Sequence, residues 1–457
     1  MQIRLSITDI NQQGQGVGRD ETGLIHFVDG ALPGETVDVT VKRKTSGYAV
    51  SHVDRLEQPA RDRVTPPCPV FGRCGGCSLQ HLDYRAELIW KASRVEQTLR
   101  RIGGLDLTDV EVRPIVGMAD PWAYRNKAAY PVGRRGKDPV LGFFAARSHT
   151  IVPHDTCLVL TPGMNDVRRT VETLIRRDGV EPYDEVSDTG ILRHVVVRQS
   201  KTTGAIQVMF VVKAYDARLE QWPAAIAAAL AASDLPALES AHVMRNQKPG
   251  NAIFGEPPRH LYGAETIRET LNGLSFDLRP EAFFQVNSAQ AANLVATVAE
   301  WAAERQNRGA SRQTLDLYCG SGTIALHLAK AGMPVTGVDV VAAAIDEASQ
   351  NAKRNGLSQA TFVAADAVAY VTAHGVHDIG MVVLDPPRKG CDQRLLDALL
   401  SAESLQTILY VSCNPATLAR DVAVLKETFK LVRYQPVDMF PHTTHVETVV
   451  LMSRAEK

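Results

Sequence analysis

Nowhere in this 457-residue chain is there a run of about 18 apolar residues free of charge, the length a membrane-spanning helix needs. The Ala-rich stretch Trp222–Ala232 is too short and too weakly apolar to serve as one. The opening MQIRLSITDI alternates polar and apolar side chains and lacks the apolar core of an export signal, so a cytoplasmic protein is the expectation. Charge of one sign is not in excess either: 50 Lys and Arg face 51 Asp and Glu, for a formal net charge of -1. That argues against a chain held on nucleic acid by its overall charge and leaves a local basic face for such a role. A disulfide framework is missing as well, since the seven cysteines are odd in number and no export signal accompanies them. No internal repeat is visible.

What is present is the composition of a folded protein, 45% hydrophobic and 22% charged, in a length that suggests about two to four domains. Residues 1–58 read as four or five short strands punctuated by glycine turns, which suits either a small barrel of the oligonucleotide-binding kind or a structural β-unit. Pro59–Pro69 is polar and proline-rich, as in a linker. Helical spacing runs from Leu79 to about Gly104, and residues 120–258 are strand-rich around a helical stretch, Arg218–Ala232. From about residue 281 strands alternate with helices: Thr314–Tyr318, Thr323–Ala331, Val335–Asp339, Ala343–Asn355, Ala360–Ala365, Ile379–Leu384 and Thr407–Val411. Such alternation predicts an α/β fold with a mostly parallel sheet, whose ligands bind beyond the C-terminal ends of the strands.

Asp316-Leu317-Tyr318-Cys319-Gly320-Ser321-Gly322-Thr323 follows a strand and opens a helix. Gly320 and Gly322 permit a tight turn and close backbone approach to a ligand. No Gly-Lys-Ser/Thr follows, so this is not a phosphate-binding loop, and the full GxGxxG is absent. The next strand ends in Asp339, placed to accept hydrogen bonds from the ribose hydroxyls of an adenosine-containing cofactor. Asp366, after the strand beyond, is either an adenine contact or an exposed turn residue. The short D-x-x-x-G-x-G loop resembles the S-adenosylmethionine site of class I methyltransferases; another nucleotide enzyme or a structural glycine turn are the alternatives.

Three further segments fall after apolar strands: Asp385-Pro386-Pro387-Arg388-Lys389-Gly390, Val411-Ser412-Cys413-Asn414-Pro415 and Pro441-His442-Thr443-Thr444-His445-Val446-Glu447. Singly, each reads equally as a stiffened basic turn, a buried cysteine or a strand entrance. Together with Phe283-Phe284-Gln285-Val286-Asn287 and the glycine loop they resemble the RNA uracil-5-methyltransferase family over nearly the whole chain. The resemblance implies Cys413 as nucleophile and Glu447 as general base, with Asp385 positioning substrate or cofactor. It also implies that Gln285, Tyr318, Asp339 and Asp385 line the S-adenosylmethionine site. The chemistry asks for a soft nucleophile and a base, because carbon 5 of uracil attacks a methyl sulfonium only after a thiolate has added to carbon 6. The target base has to be unstacked, which is cheapest in an unpaired RNA segment.

Cys68-x5-Cys74-x2-Cys77 places three soft ligands on one loop, and Cys157 supplies a fourth. Four thiolates suit zinc or an iron–sulfur cluster, and composition does not choose between them. The run Pro67-Cys68-Pro69-Val70-Phe71-Gly72-Arg73-Cys74-Gly75-Gly76-Cys77 resembles the [4Fe–4S] loop of the family's ribosomal RNA members. Residues 1–58 resemble a TRAM domain, with Lys42, Arg43 and Lys44 as candidate phosphate contacts. The expectation is thus a TRAM/OB-like barrel (1–58), a strand-rich central domain with the cysteine site (59–280) and a class I (Rossmann-like) methyltransferase domain (281–457). The helical part at about 80–115 is expected to pack on the last of these. Arg125 and Lys127 in Tyr124-Arg125-Asn126-Lys127, then Arg193, Arg388 and Lys389, are candidate RNA contacts, or solvated surface charges. Arg134, Arg135 and Lys137 form a basic loop or an ordinary hairpin. The combination resembles the bacterial 23S ribosomal RNA enzymes more than the transfer RNA enzymes, with no obligate protein partner in view. An inactive assembly factor and an exocyclic-amine methyltransferase, which needs no cysteine, are the other classes.

Overall fold

A computed structural model describes residues 3–250, 252–306 and 313–455. Among the described residues no helix is long and apolar enough to cross a membrane. The chain forms two compact units that interleave in sequence. One comprises Met1–Lys91, Phe143–His154 and Phe440–His445, the other Ala92–Gly142, Asp155–Met439 and Val446–Lys457.

In the first unit the strands Ile3–Ile10, Gly16–Arg19, Ile25–Asp29, Thr36–Lys44 and Tyr48–Gln58 close into a barrel. Closure comes from the antiparallel pairing of the first strand with the fourth, Leu5 opposite Val37. Alternation along the strands puts Leu5, Ile7, Val28, Val37 and Val39 inside, all essentially without solvent contact. A second apolar cluster, Ile10, Leu32, Leu79 and Leu82, packs the chain that follows the cysteine loop.

The second unit holds two large sheets and the two-stranded hairpin Ile267–Leu271, Leu274–Leu278. In one large sheet, strands pair in the order Arg259–Gly263, Leu238–Arg245, Ile206–Val212, Leu192–Gln199, Lys127–Arg135 and Asp138–Phe144. Helices Pro162–Asp178 and Trp222–Ala232 pack against it, Trp222 edge-on to Phe210 at 5.3 Å. The other is an eight-stranded sheet. Five strands are parallel, in the order Ala360–Ala364, Val335–Asp339, Gln313–Leu317, Ile379–Leu384 and Thr407–Ser412. Glu447–Arg454 and Phe429–Val437 extend it antiparallel, and Glu111–Val112 forms the edge. The central strands read as continuous apolar runs because helices cover both faces. Leu395, Leu396, Leu399, Leu418 and Val422 from two of those helices join Leu384, Ile408 and Tyr410, with Val95 and Leu99 of helix Tyr84–Arg101 in the same core. The strand order reverses direction between Gln313–Leu317 and Ile379–Leu384, which opens the crevice where such sheets bind ligands.

Candidate active site

Parallel register sets the first group of residues at that crevice. Leu317 lies opposite Val338 on one side and Leu384 on the other, so the residues that follow, Tyr318, Asp339 and Asp385, emerge side by side at one sheet edge. Tyr318 adopts a left-handed φ of 66° and its amide donates to the Val338 carbonyl at 2.9 Å. Gly320 has φ 54°, and a methyl group there would meet nothing within 4 Å, so the loop turns a bare face to open space. Its amide donates to Asp339 Oδ2 at 3.0 Å, while Asp339 Oδ1 accepts from Val341 at 2.8 Å. Both carboxylate oxygens are fixed by backbone donors, which leaves their remaining lone pairs for a ligand. Val340, the next residue, is 70% exposed. Asp316 is fully buried beneath the loop, where its Oδ2 caps helix Thr323–Lys330 through the Ala325 amide at 2.9 Å. Burial, and then the charge of Asp385, hold its carboxyl well above the usual range. Asp366 caps helix Ala367–His374 through the Ala369 amide at 3.0 Å, so at least one of its oxygens has a structural task.

A second group is set by antiparallel register. Ser412 pairs with Thr448 at the end of the ladder, and Cys413 and Glu447 are the next residues along the two chain segments. Cys413 is half-buried and Glu447 is buried. Burial, then the charge of Glu447, push the Cys413 thiol up to about 11, with Arg388 opposing. Burial, then Asp385, push Glu447 up to about 8, again with Arg388 opposing. Burial alone raises Asp385 to about 7. Two carboxyl groups, one thiol and one guanidinium therefore act on each other across one small crevice. The other two cysteines of this sheet are buried. Burial raises Cys391 to about 12 and Cys319 higher still, as expected of structural thiols.

The loop bearing Asp385 and Arg388 is tied to the helix that begins after Cys413. Asn414 Nδ2 and Thr417 Oγ1 both donate to the Arg388 carbonyl, at 3.1 and 3.3 Å. Buried Asp421 accepts from the Cys391 amide at 2.8 Å and the Tyr410 hydroxyl at 2.7 Å. Gln285 is half-buried, and its carbonyl accepts from Asn126 Nδ2 at 3.0 Å. Phe283, two residues before it, is 72% exposed.

The basic residues divide. Lys42, Arg43 and Lys44 are exposed on Thr36–Lys44, Arg134, Arg135 and Lys137 on a turn, and Arg388 and Lys389 beside the crevice. Arg193, expected at an RNA surface, is buried instead. Its guanidinium donates to the carbonyls of Asn246, Lys248 and Gly250 and lies over Tyr183. Lys127 is likewise withdrawn, its ammonium bonded to the carbonyls of Pro280 and Ala282. Arg125 is half-buried, with its amide donating to the Val159 carbonyl. Sequence shows that a residue carries charge but not where the charge points. The signal available for Arg193 and Arg198 is their position around the apolar run Val195–Val197 of strand Leu192–Gln199, which is buried throughout. The roles of Asp316 and Asp421 were likewise missed. Asp316 is the first residue of the D-x-x-x-G-x-G loop, whereas nothing local marks Asp421.

Among the described residues no group of three or more His, Cys, Asp or Glu is placed to hold a metal. The donor chemistry of the loop nevertheless suits a metal centre. Cys68, Cys74 and Cys77 are half-buried on one loop, the Cys74 sulfur accepts the Gly76 amide at 3.4 Å, and the charge of Cys68 reaches Cys74. Cys157, in the other unit, is held at its amide and carbonyl by the side chain of Asn165, at 2.8 and 3.2 Å.

A parallel sheet with a glycine loop after its first strand and an acidic residue ending its second is an α/β arrangement suited to an adenosine-containing cofactor, as in S-adenosylmethionine-dependent methyltransferases. The family described as tRNA (Uracil-5-)-methyltransferase matches residues 259–455, and the TRAM domain matches residues 2–53. An uncharacterised RNA methyltransferase of Halalkalibacterium halodurans is 39% identical, covering 98% of this chain and 96% of that protein. One of Bacillus cereus is 38% identical, covering 100% and 97%. The crystal structure of Pyrococcus abyssi tRNA (uracil-54, C5)-methyltransferase with S-adenosyl-L-homocysteine is similar at a TM-score of 0.76 and 28% identity, covering 98% of this chain and 100% of that one. The chain belongs to the RNA uracil-5-methyltransferase family.

Proposed function

We propose that this enzyme methylates carbon 5 of a uridine in 23S ribosomal RNA in the cytoplasm, with Cys413 as nucleophile and Glu447 as base. The observation that carries the reading is the placement of Cys413 and Glu447 just past the Ser412–Thr448 pair, where each feels the charges of Asp385 and Arg388. The Cys413 thiolate adds to carbon 6 of an unstacked uracil, and the electron pair shifts to make carbon 5 nucleophilic. S-adenosylmethionine, when bound, supplies an electrophilic methyl group to carbon 5. Gln285, Tyr318, the Gly320–Gly322 turn, Asp339, Asp366 and Asp385 are its proposed contacts. Glu447 then takes the proton from carbon 5, and the carbon 6–sulfur bond breaks to return Cys413 as thiolate. Arg388 stabilises both anionic partners, and with Lys389 it faces the RNA backbone.

A transfer RNA substrate is the second reading, supported by the named substrate of the Pyrococcus abyssi enzyme. The test offers both unmodified RNAs with methyl-labelled S-adenosylmethionine and identifies the nucleoside by mass spectrometry. Label in 5-methyluridine of 23S RNA, lost in Cys413→Ala, is the expected result. Label in transfer RNA alone would overturn the substrate, and a methylated amine surviving Cys413→Ala would overturn the mechanism. Cys68, Cys74, Cys77 and Cys157 are proposed to hold a structural [4Fe–4S] centre, with zinc as the alternative. Metal and sulfide analysis of anaerobically purified protein decides between them, and Cys74→Ser is expected to lose the metal.

A further inference from the structure

The segment Pro280–Ser288 carries Gln285, and Lys127 and Arg198 on paired strands, with Asn126 just before the first of them, hold it in place. Lys127 donates its ammonium to the carbonyls of Pro280 and Ala282, at 3.1 Å each. Arg198, directly opposite Lys127 in the antiparallel register, donates Nη2 to the same Ala282 carbonyl. Asn126 continues the line: its amide donates to Val286 at 2.8 Å, and its Nδ2 to the Gln285 carbonyl at 3.0 Å and Ser288 Oγ at 2.9 Å. Arg198 is 2% exposed, and burial lowers Lys127 to about 7. Two like charges facing each other on adjacent strands repel, and burying either is costly. The charges of Glu281 and Glu347 offset this, Glu347 lying on helix Ala342–Arg354, just beyond Asp339. Connecting segments are ordinarily left to solvent. Here the cations of Lys127 and buried Arg198 both go to the carbonyls of the one short segment that carries Gln285.

We propose that Lys127 and Arg198 are positioning residues that fix the Pro280–Ser288 segment, through the carbonyls of Pro280 and Ala282, so that Gln285 is held at the S-adenosylmethionine site. The inference rests on the reading of Gln285 as a cofactor contact. The clamp acts on cofactor affinity and leaves RNA affinity alone, the reverse of what a phosphate-binding lysine does.

The experiment measures S-adenosylhomocysteine binding by calorimetry and RNA binding at several salt concentrations, on the full-length enzyme. Lys127→Met, Lys127→Arg, Gln285→Ala and the Lys127→Met/Gln285→Ala pair are compared, with melting curves as the check on folding. Lys127→Met removes the Lys127 bond to the Pro280 carbonyl and leaves the Ala282 carbonyl to Arg198 alone, and is expected to weaken S-adenosylhomocysteine on the order of tenfold. Lys127→Arg should recover most of that loss, and Lys127→Met should add little on the Gln285→Ala background. RNA affinity and its salt dependence should be unchanged. Lower RNA affinity with a shallower salt slope would make Lys127 a phosphate contact and overturn the proposal. Unchanged cofactor binding in folded Lys127→Met, or losses that simply add with Gln285→Ala, would also overturn it. Should Lys127→Met not fold, Arg198→Lys, which keeps the charge but shortens the reach to Ala282, takes its place in the same cycle. Cofactor binding is measured without RNA, so the clamp is tested even if 5-methyluridine is not the product. Normal binding without that product would count against the functional reading alone.

Discussion

Cys413 and Glu447 are each held in the protonated form that their chemistry does not use. With its thiol at about 11, Cys413 is ionised to roughly one part in ten thousand at neutral pH in the free enzyme. Glu447 at about 8 is mostly neutral there as well. Attack needs the thiolate and proton removal needs the carboxylate, so kcat/KM should climb from about pH 6 to about pH 8, more gently beyond. A profile that falls over this range would exclude Glu447 as the base. Arg388 opposes both upward shifts, so Arg388→Met should raise both groups further and displace the profile to higher pH by about one unit. Glu447 also costs stability. Its folded pKa lies above its unfolded value, so the protonated carboxyl favours the fold at low pH, and that contribution is lost as pH rises through about 8. Glu447→Gln should therefore raise the melting temperature more at about pH 9 than at about pH 5, a gap of up to a few kcal/mol. An equal shift at both would place the carboxylate in solvent. Cys413 and Glu447 could be proposed from the sequence as nucleophile and base because each stands in a motif. Their common position at the end of one strand pair could not be read there, since it depends on which strands pair. Lys127 and Arg193 were misread for a related reason, because burial is a tertiary property.

At the scale of elements, the loop between strand Gln313–Leu317 and helix Thr323–Lys330 separates what the fold needs from what the ligand needs. A Cβ at Gly322 would lie 2.9 Å from the Phe362 ring and 3.0 Å from Ala348, at φ 82°. One at Gly320, at φ 54°, would meet only open space. Gly320→Ala should cost roughly 1–2 kcal/mol of stability from backbone strain alone, yet lower cofactor affinity sharply if, as proposed, the open space beside it is the cofactor's. Gly322→Ala should lose more stability, through the clash with Phe362. Thermal melts paired with S-adenosylhomocysteine calorimetry separate the two effects, and equal stability losses would contradict this division. The parallel strands and their helices were readable because apolar runs of strand length alternated with helical spacing, and several boundaries fell within a residue or two. The edge strand Glu111–Val112 carried no such signal, since two exposed residues have no periodicity.

For the whole molecule, near-neutral charge and an RNA substrate are reconciled by distribution. The chain returns to its first compact unit twice, at Phe143–His154 and Phe440–His445, a path that no linear pass along the sequence shows. In that unit Lys42, Arg43 and Lys44 project from one barrel strand into solvent. Each cation that neutralises a phosphate releases counterions, so its loss reduces the slope of log affinity against log salt by about 0.7 to 0.9. If the barrel tracks the RNA backbone, replacing all three with alanine should weaken binding at low salt and flatten that slope by about 2, with S-adenosylhomocysteine affinity unchanged. Loss of affinity without a change in slope would mean that these residues shape the barrel and do not contact phosphate. An unchanged affinity would move the electrostatic footprint to the crevice, where Arg388 and Lys389 are exposed. Opposite responses at the barrel and at Lys127 would show that basic residues of similar appearance in sequence serve two ligands, the exposed ones RNA and the buried one the cofactor.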